Sequence, residues 1–97
     1  MKKFTLLICI AFVFSFQKSG LAVQFDRPES AVHDVKNNRY LISNVGNGDI
    51  VAQAMDGTLS VFNNTASVSI RGITLPGDTL FAAGDEGLLG FDLATGN

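Results

Sequence analysis

Cysteine is almost missing from this chain: 97 residues hold one, Cys9. It lies in an apolar run near the start, so nothing beyond residue 22 carries a thiol. That excludes a disulfide framework and any cysteine-based metal site from the bulk of the protein. Histidine is equally scarce, with His33 alone, and no Ser/His/Asp set or phosphate-binding loop accompanies it. Helical periodicity is lacking as well. No stretch beyond residue 22 keeps apolar residues at i, i+3, i+4 and i+7 across three turns, which excludes a helical domain. Nor is there a long hydrophobic run. The longest, FTLLICIAFVFSF, has 13 residues, where a bilayer-spanning helix needs about 20.

That run has a clear role in its setting. Met1-Lys2-Lys3 is a short basic start, the apolar run fills residues 4–16, and QKSGLA brings polar and small residues, with Gly20 and Ala22 in an A-x-A-like arrangement. This is the three-part layout of a secretory signal peptide, helical over 4–16 and cut after Ala22. A retained membrane anchor is the alternative. A lipoprotein signal does not fit, because Cys9 sits inside the run behind the bulky Ile8. The expected localisation is secreted or periplasmic. Residues 23–97 then keep Arg27, Lys36, Arg39 and Arg71 against nine acidic residues, a formal charge of −5. Isolated basic residues on so acidic a chain argue against nucleic acid as a partner, and against an anionic membrane surface after cleavage.

Short alternating runs separated by turn residues dominate the remainder, which predicts an all-β fold. Extended pieces are expected at SAVHD, RYLISN, IVAQAM, TLSVFN, SVSIRGITL, TLFAA and GLLGFDL. In RYLISN, Tyr40 and Ile42 share one face and Leu41 and Ser43 the other, because side chains alternate along a strand. Hairpin turns are expected at Gly46–Asp49, at Asp56-Gly57 and at Gly84–Glu86, where Gly, Asn and Asp tolerate positive φ or tight primed turns.

The chain also repeats itself. NRYLISN at Asn38 aligns with DTLFAAG at Asp78, an offset of 40. IVAQAMDG at Ile50 aligns with LLGFDLATG at Leu88, an offset of 38 that grows to 39 in the turn. A period near 40 residues with about four short strands per unit is the pattern of β-propeller blades.

PESAVHDVKNNRYLISNVGNGDIVAQAMDGTLSVF resembles the opening blade of the gluconolactonase and senescence-marker (regucalcin-like) six-bladed propellers, whose blades run P-E-[GS], a short strand, LYVSN, a Gly-rich turn and a final D-G. RGITLPGDTLFAAGDEGLLGFDLATGN is similar to their second blade. Gly84 stands where that family usually has Asp, and Ala54 where a polar residue or Asp is common. With the signal peptide at 1–22, the resemblance implies a partial propeller at 23–97, with blade one at about 27–66 and an incomplete blade two at about 67–97. FDLATGN then reads as a third strand and the turn toward a fourth, so the expectation is about two of six blades.

The resemblance further implies calcium at the axis of full-length members, lactone hydrolysis, and a ligand set that begins with a Glu in the first blade. Glu29 falls at that position, and the remaining ligands would lie beyond Asn97. One carboxylate cannot hold a cation that takes about 6–8 oxygens, so no metal, cofactor or catalytic residue is expected here and Glu29 reads as an exposed acid at a strand entrance. His33 reads as a strand side chain and not as a general base. NVGNGD lacks the D-x-[DN]-x-[DN]-G order of a calcium loop and reads as a hairpin turn. Asp34 is expected to support the VKNN turn. Asn63-Asn64-Thr65 matches a glycosylation sequon, which a bacterial-style signal peptide makes irrelevant.

Two functions follow. One is a non-catalytic exported propeller fragment that binds an unidentified ligand or is a remnant. The other is a calcium-dependent, lactonase-like hydrolase, if the chain continues or assembles into a ring. Self-association through open blade edges, or only marginal folding, is expected in the first case, with Val51, Met55, Phe81, Leu89 and Phe91 as uncovered apolar surface.

Overall fold

The computed structural model describes residues 22–66 and 68–97. The helix expected over 4–16 lies outside them. Seven strands are described: β1 (Pro28–Asp34), β2 (Arg39–Asn44), β3 (Ile50–Ala54), β4 (Leu59–Asn63), β5 (Ile70–Thr74), β6 (Thr79–Gly84) and β7 (Gly87–Asp92). There is no helix among the described residues. Every ladder is antiparallel. The strands form a four-stranded sheet I in the order β1-β2-β3-β4 and a three-stranded sheet II in the order β5-β6-β7.

The turns follow their residues. At the β2–β3 hairpin Asp49 N–H is held by the Asn47 side chain (2.9 Å) and Gly48 N–H by Asn44 O (3.1 Å). At Asp56-Gly57, Thr58 N–H donates to Asp56 Oδ1 (2.9 Å), an Asx turn that leaves Gly57 at φ +93°, a conformation glycine adopts without steric cost. These bonds also hold the Asp56 carboxyl below its usual range.

The repeat is visible in the pairing. Arg39 pairs with Ala54 as Thr79 pairs with Asp92, and Leu41 with Ala52 as Phe81 with Gly90. The offsets of 40 and 38 are therefore structural. Both units also carry a β-bulge at the same place. Between Pro28 and Ser30 the register shifts around Glu29; between Ile70 and Gly72 it shifts around Arg71. Just beyond each bulge a matching bond closes the sheet end, Val45 N–H to Arg27 O at 3.0 Å and Asp85 N–H to Ser69 O at 3.2 Å.

The core lies between the sheets. Leu41, Ile50, Ala52 and Phe62 of sheet I pack with Ile70, Ile73, Leu80, Ala82 and Phe91 of sheet II. Fully burying one such Leu or Ile is worth about 1.5–3 kcal/mol. The Phe62 and Phe91 rings meet edge to face at 6.4 Å, a favoured aromatic geometry.

Equivalent residues use opposite faces. Sheet I meets sheet II with Leu41, Ile50 and Ala52, all buried. Their counterparts in sheet II, by register, are Phe81, Leu88 and Gly90, which lie on the face turned away from sheet I. Sheet II meets sheet I with Leu80, Ala82, Leu89 and Phe91, whose counterparts Tyr40, Ile42, Val51 and Gln53 face away from sheet II. A two-fold sandwich would bring the same face of both units together. Here the packing is head-to-tail.

Three of the residues expected to be uncovered are not. Val51 is 1% exposed and Phe91 7%, and Leu89 packs against the core. Phe91 and Leu89 face sheet I. Val51 lies on the far face of sheet I, where its cross-strand partner Val61 shares a cavity with Val23, Gln24 and Phe25 of the leading segment. Met55 is exposed, as expected, and Phe81 is half-buried.

Buried polar groups hold the two sheets in one arrangement. Ser43 Oγ donates to Arg71 O (2.7 Å), Ser69 Oγ to Val45 O (2.7 Å), and Asn63 Nδ2 to Gly96 O (2.7 Å). A buried hydroxyl or amide left without its partner costs about 1–3 kcal/mol, so each bond disfavours sliding between the sheets.

Candidate functional site

Strand direction sorts the charged residues to two ends of the sheets. At one end the two bulges place Glu29 and Arg71 side by side. A bulge inserts an unpaired residue and re-aims its side chain, which is why these two project from the ladder. Arg71 Nη1 lies 3.8 Å from Glu29 Oε1, and Arg71 Nε lies 3.8 Å from Asp85 Oδ1. All three side chains are about half exposed. Exposed pairs of this length contribute about 0–1 kcal/mol, so the cluster is an electrostatic surface feature more than a brace.

Glu29 therefore sits in the mouth of the paired bulges, but with a guanidinium beside it. A cation bound there would face Arg71 at close range. Among the described residues no group of three His, Cys, Asp or Glu side chains converges on a metal-sized point. These residues do not fit calcium.

A second acidic place lies behind the β2–β3 turn. Asp26, Asn47 and Asp49 line a cavity of about 440 Å³ together with Phe25 and Val61. Burial pushes the Asp49 carboxyl up, and the neighbouring Asp26 charge adds to the effect. Asn44 organises the surroundings, with Oδ1 accepting from Asp26 N–H (2.8 Å) and Nδ2 donating to Asp49 O (2.9 Å). Among the described residues no serine, threonine or cysteine lines that cavity.

The opposite end is built on Asp34. Its carboxylate accepts from Asn37 N–H (3.2 Å), Asn37 Nδ2 (2.9 Å) and Arg39 Nε (2.8 Å). Burial pushes its pKa up, but the bonds from Asn37 and Arg39, with the Arg39 charge, outweigh this and hold it below the usual range. Asp34 does support the VKNN turn. Arg39 continues the network across the sheets: Nη2 donates to Leu93 O (3.0 Å), and the guanidinium lies 5.3 Å from the Phe62 ring centre. The network is structural.

His33 is exposed and stacks on Tyr40, ring centres 4.8 Å apart. It lines a shallow cavity of about 210 Å³ with Lys36, Leu75, Pro76 and Asp78. Among the described residues no serine, threonine or cysteine lines that cavity, so it offers His33 no hydroxyl or thiol nucleophile. Asn63, the sequon residue, is 5% exposed and donates its amide to Gly96 O, which leaves it closed to modification.

The paired bulges escaped the sequence because a bulge is an extra residue with no residue type of its own. Comparison with protein-family models, curated proteins and solved structures yields no match for this chain.

Proposed function

We propose that this protein is an exported pair of propeller blades, of the gluconolactonase and regucalcin-like type, that acts by binding and not by catalysis. One observation carries the reading. Equivalent residues of the two units pack through opposite faces, Leu41 inward and Phe81 outward. This is how successive blades stack around an axis, each covering the next. The shared bulges, the period near 40 and the blade-like motifs support the same reading, and the layout of residues 1–22 supports export.

The non-catalytic half rests on the charged residues. Glu29 is occupied with Arg71, Asp34 with Arg39 and Asn37, and His33 with Tyr40. The described residues build two sheets, whereas a closed propeller takes at least four blades. Protein isolated from the medium, carrying Val23 at its N-terminus, is the material for the test. Calcium titration by calorimetry should give no saturable heat, and aldonolactone hydrolysis should stay at the buffer rate with and without calcium. Calcium-dependent ring opening would replace this reading with the hydrolase.

A further inference from the structure

The interface between the sheets leaves two complementary faces open, and we propose that a second copy of this chain docks on them head-to-tail. The far face of sheet II, carrying Phe81, Ala83 and Leu88, receives the far face of sheet I, carrying Phe25, Tyr40 and Val61. The inference rests on the blade-pair reading and names the partner that reading leaves open.

The internal interface is the template. Ile50 is 0% exposed against sheet II, while its counterpart Leu88 is 71% exposed on a face of the same residue character. Beside it the Phe81 ring lies against Gly90, where even a Cβ would meet the ring only in ordinary contact, at about 3.6 Å. In sheet I the same two positions are Leu41 and Ala52, both in the core. The far face of sheet II thus repeats, position by position, the surface that sheet I uses to bind sheet II.

The receiving face repeats the other half at Tyr40 and Ile42, while Val51, the counterpart of Leu89, is already buried and Gln53 is the counterpart of Phe91. Tyr40 is the counterpart of Leu80, which is 0% exposed in the core, yet Tyr40 is 40% exposed. Val61 and Phe25, exposed on the same side and sharing one cavity, extend it. The two faces differ from each other, so the contact between copies is heterologous, and such contacts either propagate or close into rings. Two identical faces meeting each other would instead stop at a dimer.

This difference supplies the test. Sedimentation velocity of the exported protein, carrying Val23 at its N-terminus, should show concentration-dependent association at micromolar concentration. Leu88→Lys and Tyr40→Lys should each sediment as a monomer, with the cooperative melt and β-type circular dichroism of the parent. An equimolar mixture of the two, each with one intact face, should give a single one-to-one dimer. A wild-type chain that stays monomeric throughout would overturn the inference, and so would a mixture that stays monomeric. In both cases a retained cooperative melt would leave the blade-pair reading standing.

Discussion

Asp34 shows how much one buried side chain decides. Its oxygens satisfy the turn amide of Asn37 and the guanidinium of Arg39, which reaches on to Leu93 O just beyond β7. Because its folded pKa lies below the ordinary 3.8, the carboxylate contributes stability that is fully present above that value. The contribution is lost as pH falls through the folded pKa. Asp49 works in the opposite sense. Its raised pKa means that protonation, beginning above 3.8, relieves a destabilising charge. Urea melts should therefore show stability falling below about pH 4, with Asp34→Asn losing about 1.5–3 kcal/mol at pH 7 and most of that acid sensitivity. An unchanged pH profile in Asp34→Asn would assign the acid loss to other groups. At this scale the sequence was partly legible. The Asp34 turn followed from local chemistry, since its partner Asn37 is three residues away. The Glu29–Arg71 pair spans 42 residues, and no local pattern connects them.

At the scale of elements the strands were legible nearly to the residue. Alternation puts apolar side chains on one face, and the Asn, Asp and Gly turns between them are short enough to leave little freedom. The expected SVSIRGITL segment is the exception, because the strand is confined to Ile70–Thr74. Its neighbour Val68 presents a backbone carbonyl to Gly48. Glycine is required at position 48 on two grounds, a φ of +78° and a Cβ that would collide with that carbonyl. Gly57, at φ +93°, has open space around it. The pair separates conformational strain from steric exclusion. Gly57→Ala should cost about 1 kcal/mol, near the low end for a residue forced to positive φ, whereas Gly48→Ala should cost about 2–3 kcal/mol or more. In a domain of this size each kcal/mol lowers the melting temperature by roughly 4–8 °C. Equal shifts for the two variants would mean that the β2–β3 turn does not press against residue 68.

On the scale of the whole molecule, the thin core and the absence of cysteine from residues 22–97 set the terms. A domain of about 75 residues buries only about 60–65% of its unfolded surface and rarely holds more than about 3–5 kcal/mol of stability. Among the described residues the outer edges of β4 and β7 are unpaired in the sheets, and open edges invite further strands. How the two units face one another could not be seen in the sequence. A repeat of 40 residues fixes that two units are alike, and both sandwich and head-to-tail packing satisfy that. Val51 illustrates the consequence, because only the placement of residues 22–26 beside Val61 shows that its face is partly covered.

The central claim, head-to-tail packing of two equivalent units, makes the counterparts Ile50 and Leu88 energetically unequal. Both are large aliphatic residues at the same strand position, one 0% and the other 71% exposed. The decisive measurement is equilibrium urea unfolding of Ile50→Ala and Leu88→Ala at submicromolar concentration, where association is suppressed. Ile50→Ala should lose about 2–5 kcal/mol or unfold outright, as for truncations in a packed core. Leu88→Ala should stay within about 0.5 kcal/mol of the parent, as for surface substitutions. Comparable losses at both positions would place Leu88 in a core and contradict the head-to-tail arrangement.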